Sequence, residues 1–191
     1  MKGRKTMRKN FGQKPLIYPQ PVLIIATYND DGSVDAMNAA WGGVGDDHQV
    51  FLCLSPEHRT VKNILKRKAF TVSIADEEHA VQADYVGVVS GNNTPDKFEK
   101  SGLSAVKSEF VDAPVITDFP ICMECGLVSY EKEHCHCFGE IKNTSVDEKV
   151  LTDGKVDPAK LKAIAFDIDN GRYMRVGEAF AKAFSIGLQL K

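Results

Sequence analysis

The chain has 191 residues, 43% hydrophobic and 26% charged, which is a globular composition with enough length for one sizeable core and excludes disorder through its bulk. Twenty-four basic against 26 acidic residues give a net charge of −2, which excludes a globally basic nucleic-acid binder.

In chain order, the first feature is a basic arm. Residues 1–14 carry Lys2, Arg4, Lys5, Arg8, Lys9 and Lys14 and no acid, so the rest stands at 18 basic to 26 acidic. This predicts a basic N-terminal arm (1–14), readable as a solvated terminus or an interaction tail, ahead of a single domain (15–191). The arm lacks the apolar segment of a secretory signal. The longest apolar runs, such as Val22–Ala26, fall far short of the ~20 residues of a membrane-crossing helix. Five cysteines, an odd number without an export signal, predict reduced thiols and a cytoplasmic protein.

Val22–Tyr28 is an apolar, β-rich run closed by Asn29-Asp-Asp-Gly32, a hairpin turn that predicts a returning strand over Ser33–Ala40. Val50–Leu54 and Ala69–Ala75 read as further strands. Between them, Val61, Ile64 and Leu65 line one face of a helix over Arg59–Lys68. Helices are also predicted over Glu77–Val88 and Pro95–Ser101, the latter with Pro95 in its first turn and Gly102 past its end. Ile121–Glu131 and His134–Thr144 are strands, Asp157–Leu161 a helical turn, and Phe166–Ile168 and Arg172–Arg175 a pair across Asp169-Asn-Gly171. Ala179–Ile186 is a weak element. Short strands at close spacing with inserted helices predict a mainly β fold, an antiparallel barrel and not a βαβ sheet.

Four stretches carry residues suited to chemistry. In Asp35-Ala-Met-Asn-Ala-Ala-Trp41, small residues around one Asn and the lone Trp allow a planar ligand to approach the backbone; the same run also reads as a strand with its Trp packed. In Ser55-Pro-Glu-His-Arg-Thr60, a strand gives way to a helix start, whose free N–H groups and positive end suit a phosphate, with Arg59 to fork onto its oxygens; simple capping is the alternative. Ala83–Gly91 with Asp96-Lys97-Phe98 offers glycines for close approach and a lysine that is either functional or merely solvated. Cys122-x-x-Cys125 and His134-Cys-His-Cys137 hold zinc-ligand residue types. On a strand, however, the histidines and the cysteines of the second cluster face opposite sides, and no second Cys-x-x-Cys turn completes a tetrahedron. Buried unpaired thiols and no metal site are predicted.

Taken together, these blocks resemble the flavin reductase-like family with the FMN-binding split barrel, which includes flavoredoxins. The resemblance rests on Pro21–Thr27, Asn38-Ala-Ala-Trp41, Ser55-Pro-x-x-Arg59-Thr60-x-x-Asn63, Ala83-Asp-Tyr-x-Gly87-x-x-Ser90-Gly91, Asp96-Lys97-Phe98, His134-x-x-x-x-Gly139-Glu140 and Arg172-Tyr173. It implies a Greek-key-like split barrel that dimerises and binds FMN without a covalent link. By position, Asn38, Ala39, Ala40 and Trp41 would line the ring, and Ser55, Arg59 and Thr60 would hold the phosphate. Asn63, Ser90 and Tyr173 complete the cofactor-binding set. Lys97 and His134 would lie beside the isoalloxazine as catalytic groups. The implied activity is hydride transfer from NADH or NADPH to FMN; the alternative is a flavoredoxin-type carrier that keeps its FMN and exchanges electrons with a protein partner. Cys135 and Cys137 depart from the family pattern and leave an added thiol role open.

Overall fold

The computed structural model describes residues 7–190, so Lys2, Arg4 and Lys5 of the basic arm lie outside the described residues. After a two-residue strand β1 (Gln20–Pro21), the hairpin β2 (Leu23–Tyr28) and β3 (Val34–Ala39) forms as its turn chemistry dictates. Gly32 takes φ +83°, the Asn29 amide donates to the Ser33 carbonyl at 2.8 Å, and the register runs from Tyr28–Val34 to Leu23–Ala39. Strands β4 (Gly42–Asp46) and β5 (Gln49–Cys53) make a second hairpin. Helix α1 (Arg59–Arg67) buries Thr60, Val61, Asn63 and Ile64, places Lys66 and Arg67 at its negative end, and stops at Lys68 in a left-handed conformation.

Strand β6 (Ala69–Ile74) leads to α2 (Ala80–Val88), α3 (Lys97–Ser101) and the short pair β7 (Ala105–Lys107) and β8 (Pro114–Ile116). Two long strands follow, β9 (Ile121–Glu131) and β10 (His136–Val146), then β11 (Leu151–Thr152), β12 (Lys155–Val156) and α4 (Pro158–Leu161), and finally β13 (Ile164–Asp167) and β14 (Arg172–Arg175).

Seven of these strands form one curled antiparallel sheet in the order β3-β2-β6-β9-β10-β5-β4. Its two end strands are separated in sequence only by Ala40 and Trp41. The molecule is mainly β, a split half-barrel with four α-helices among the described residues. Strand β2 explains why a continuous apolar run and not an alternation marked it. Leu23 and Ile25 enter the barrel core with Leu52, Phe70, Val72 and Cys125, whereas Val22, Ile24 and Ala26 enter a second core under α2, α3 and β13.

Several elements depart from the sequence reading. The second helix starts at Ala80 instead of Glu77, because the Asp76 carboxylate accepts the His79 amide at 2.9 Å and the Glu77 amide is taken by the Lys162 carbonyl at 3.0 Å. Strand β10 begins at His136, because Cys135 turns the chain with φ +60°; His134 and Cys135 belong to the hairpin turn, so the alternation expected from His134 onward begins two residues later. The glycine-rich β4 and the short β7, β8, β11 and β12 were not foreseen. The weak element at Ala179–Ile186 is a bend at Ala181 and a turn over 183–185, and a 3-10 helix follows at Ile186–Leu190.

Candidate functional site

The site is built where β3, the start of α1 and the end of α2 meet. Strand β5 ends with the Leu54 amide on the Cys135 carbonyl (2.8 Å), and a turn closes with the His58 amide on the Ser55 carbonyl (3.2 Å). Helix α1 then begins at Arg59 without a side-chain cap and without an acid in its first turn. Its first N–H groups and positive end are therefore left for a ligand. Arg59 stands at this end and makes no ion pair or side-chain hydrogen bond among the described residues.

A cleft of about 210 Å³ opens here, lined by Met37, Asn38, His58, Arg59, Thr60, residues 86–91 and Lys97. Gly91 is buried in its wall: a Cβ there would lie 2.5 Å from Asp35 Oδ1, 3.3 Å from Arg59 Cδ and 3.4 Å from Lys97 Cε. Gly87 plays the same part between α2 and β3, where a Cβ would come within 2.8 Å of Asn38 Cβ.

Beneath the cleft lies a buried charged cluster. Asp35 is 2% exposed and Lys97 3%, with Lys97 Nζ 3.8 Å from Asp35 Oδ1. The Thr60 hydroxyl donates to Asp35 Oδ2 at 2.5 Å, and Lys97 Nζ donates to the carbonyls of Val86 (3.0 Å) and Val89 (3.2 Å). Burial raises the Asp35 carboxyl above the ordinary carboxylate range, against the opposing pull of Thr60 and Lys97. Burial lowers Lys97, with the Asp35 charge opposing. His58, at the cleft rim, is lowered by desolvation and by the Lys97 charge. Lys97 is thus bound to the end of α2, a helix with no basic residue in its own last turn.

At the other side of the cleft, Asn38 Nδ2 donates to the Ala83 carbonyl (3.0 Å) and to Tyr173 Oη (3.4 Å), and Tyr173 in turn donates to Asp84 Oδ1 at 2.7 Å. Partial burial and this donation to a carboxylate push the Tyr173 phenol up to about 12. The Asn38 side-chain oxygen has no donor among the described residues and remains an open acceptor.

Of the residues singled out in the sequence, Asn38, Arg59, Thr60, Ser90 and Lys97 line this one cleft, and Tyr173 joins it through Asn38. Ser55 sits in the preceding turn. The others are elsewhere. Asn63 is on the buried face of α1, away from the cleft, where its amide donates to Thr27 Oγ1 (3.2 Å) and Asn29 Oδ1 (2.9 Å). Ala39 is packed in the barrel core, and Ala40 is half-buried at the barrel seam. Trp41 lines a separate apolar pocket with Ile17, Pro21 and Phe51. His134 is in the exposed hairpin turn, its Nδ1 3.6 Å from Glu131 and its ring 5.6 Å from that of His136. Its side chain does not line the cleft, although the next residue anchors Leu54 just ahead of Ser55. Asp35, His58 and Asp84 all lie inside the stretches marked in the sequence but are not among the predicted site residues, because nothing local marks a strand carboxylate as buried or a loop histidine as a cleft wall.

The profile of the Flavin reductase like domain matches residues 16–160. The chain belongs to the flavin reductase-like family. The flavoredoxin of Desulfovibrio vulgaris (Miyazaki F) superposes with a TM-score of 0.90 at 38% identity, covering 95% of this chain and all of that one. A flavoredoxin from Methanosarcina acetivorans has the same fold, with a TM-score of 0.87 at 22% identity over 97% of this chain and all of that one. A protein of Aquifex aeolicus (strain VF5) is 30% identical over 148 residues, 71% of this chain and 74% of its own length. An FMN-binding domain of a flavin reductase-like enzyme from Shewanella baltica OS155 shares the fold (TM-score 0.75, 17% identity, 85% of this chain and 89% of that one).

Proposed function

We propose that this protein holds FMN by its phosphate at the start of α1 and works as a flavoredoxin-type electron carrier. The observation that carries the binding half is the unpaired Arg59 at an uncapped helix N-terminus inside a cleft. A guanidinium, free backbone N–H groups and the Ser90 hydroxyl form a donor set with the chemistry of a phosphate monoester site. The cleft, at about 210 Å³, is below the roughly 300–1,000 Å³ of a site that encloses a whole drug-sized ligand. It suits the phosphate and polyol, with the ring lying beyond it. The open acceptor on Asn38 can take a ring N–H, and its amide is held in place by Ala83 and Tyr173. When bound, FMN supplies the electron and hydride chemistry; the chain supplies grip, orientation and local charge. Lys97 contributes charge from below the cleft, not by touching the ligand, because its ammonium is spent on Val86, Val89 and Asp35.

The carrier half is favoured by the 38% identity to a flavoredoxin over its whole length. That reverses the order in which the sequence alone ranks the two readings. NAD(P)H-dependent flavin reduction is the second reading, favoured by the match to the flavin reductase-like profile.

Titration with FMN and with riboflavin, which lacks the phosphate, tests the binding half. Arg59→Ala is expected to weaken FMN by ~1.5–3 kcal/mol, about ten- to a hundredfold, and riboflavin little. Equal losses for both ligands reject the phosphate assignment. For the second half, the yellow protein is mixed anaerobically with NADH or NADPH. A carrier stays oxidised until a reduced redox protein is added; steady NAD(P)H consumption with excess free FMN means a reductase instead.

A further inference from the structure

We infer that Cys53 and Cys135 form a dithiol that closes to a disulfide within one chain by exchange with a low-molecular-weight disulfide, locking the β9–β10 turn to the end of β5. This stands apart from what the cleft binds. Three of the five thiols are sealed in the fold, with Cys122 2% exposed, Cys125 0% and Cys137 1%. Cys53 and Cys135 are the two that reach the surface. They come from distant parts of the chain and meet because β5 pairs with β10.

His136 stands opposite Cys53 on this ladder, and the next rung is the hydrogen bond from the Leu54 amide to the Cys135 carbonyl at 2.8 Å. Cys53 and Cys135 are therefore diagonal neighbours. With strands about 5 Å apart and a rise of about 3.3 Å per residue, their Cα atoms lie ~6 Å from each other, inside the ~4.4–6.8 Å that a disulfide spans. On a regular strand a diagonal neighbour points to the other face of the sheet. Cys135 leaves that alternation, because its φ of +60° puts it in the left-handed region at the close of the hairpin turn. The Cys53 side chain leans toward it, with Sγ 4.0 Å from the carbonyl oxygen of His134, in the peptide that leads into Cys135. Cys135 Sγ stays at the turn, 4.0 Å from the Lys132 carbonyl oxygen. Burial pushes the Cys53 thiol up, and the neighbouring Cys135 adds to the push.

The chemistry is two successive thiol–disulfide exchanges. Cys135, in the hairpin turn, attacks one sulfur of the small disulfide RSSR as its thiolate. The S–S bond breaks, one sulfur leaves as RSH after taking a proton, and a mixed disulfide remains on Cys135. Cys53 then gives up its proton and attacks the Cys135 sulfur, and the second RSH leaves. The two protein thiols lose two electrons and two protons, and RSSR gains them as two RSH. The main chain is already in place for this step. Leu54 is held to the hairpin at both backbone ends, its amide on the Cys135 carbonyl and its carbonyl accepting the Tyr130 hydroxyl at 2.9 Å. Closure therefore asks for side-chain rotation more than for backbone movement. The pair is a two-electron couple set by the thiol–disulfide poise of its surroundings and not by the contents of the cleft.

The test uses the full-length chain, reduced, freed of reductant and incubated with oxidised glutathione. Intact mass and peptide mapping without reduction are expected to give a chain two hydrogens lighter, with Cys53 joined to Cys135, and dithiothreitol is expected to restore all five thiols. In Cys53→Ser the second thiol is gone, so one glutathione is expected to stay on Cys135. A wild type that carries glutathione on both residues without closing the bridge overturns the proposal, as does a bridge between two chains or one to Cys122, Cys125 or Cys137. A wild type that keeps five free thiols in excess oxidised glutathione overturns it as well.

Discussion

A carboxylate and an ammonium share one buried site beneath the cleft, and each survives there because of the other. Desolvation disfavours both charges; their attraction, the Thr60 hydroxyl and two helix-end carbonyls offset it. Removing one partner leaves the other buried and alone, so Lys97→Met is expected to cost ~3–5 kcal/mol in urea unfolding. The double variant with Asp35→Asn is expected to be less destabilised than Lys97→Met alone. Burial holds the Asp35 proton in the folded state to a pH at which the unfolded chain has already lost it. In that window the native state binds more protons, so this group's contribution falls as pH rises. With Lys97 absent, the deficit is expected to deepen with pH upward from the ordinary carboxylate range. A Lys97→Met cost below ~1 kcal/mol at every pH would remove the pair from its structural role. The sequence marked Lys97 but not this use of it, because its partners lie 62 residues upstream (Asp35) and at the end of another helix.

Elements met at the cleft depend on backbone approach more than on propensity. Helix α2 lies against β3 where Gly87 faces Asn38, and the loop after it closes on β3 and the start of α1 where Gly91 faces Asp35 and Arg59. Gly91→Ala puts a methyl 2.5 Å from Asp35 Oδ1, so either the loop or the carboxylate must move. The expected result is a loss of ~1–3 kcal/mol in stability together with weaker FMN binding. Gly43→Ala, where nothing lies within 4 Å, is the control and is expected to leave FMN binding unchanged. A Gly91→Ala protein that binds FMN like the wild type would show that the loop can yield. The hairpin β2–β3 was legible because its turn residues and apolar run act locally. Strand β4 was not, because Gly-Gly-Val-Gly-Asp has no strand propensity and pairs only because β5 lies beside it.

At the scale of the whole molecule, the barrel shields three of its five thiols. Burial pushes Cys122 up to about 11 and Cys125 and Cys137 up to about 12, whereas Cys53 and Cys135 are half-exposed. A thiol reagent at mildly alkaline pH is expected to modify Cys53 and Cys135 in the folded protein and all five cysteines only in denaturant. Unfolded thiols ionise near 9.0, the ordinary thiol range, while the folded ones keep their protons to about 11 or 12. Above that lower value the unfolded state binds fewer protons, so stability falls as pH rises, by up to about 1.4 kcal/mol per thiol per pH unit. Rapid modification of all five in the native state would mean that the barrel opens. The Cys-x-x-Cys spacing reads as thiols in a strand because β9 carries Cys125 into the barrel core, and among the described residues no three His, Cys, Asp or Glu side chains converge on a metal-sized site.

The sequence by itself determined the mainly β class, the first hairpin, the helix that opens at Arg59 and the residues expected to meet a phosphate. Each of these depends on neighbours a few positions away, through turn geometry, periodicity or a helix end. The tertiary structure decided which of those residues share a cleft. It placed Asn38, Arg59, Thr60, Ser90 and Lys97 together, sent Asn63 into a buried hydrogen-bond pair, and moved Trp41 to a different concavity. It also made Asp35 a buried ion, because burial and charge pairing are properties of what surrounds a side chain in space, and the curl of the sheet fixes those surroundings.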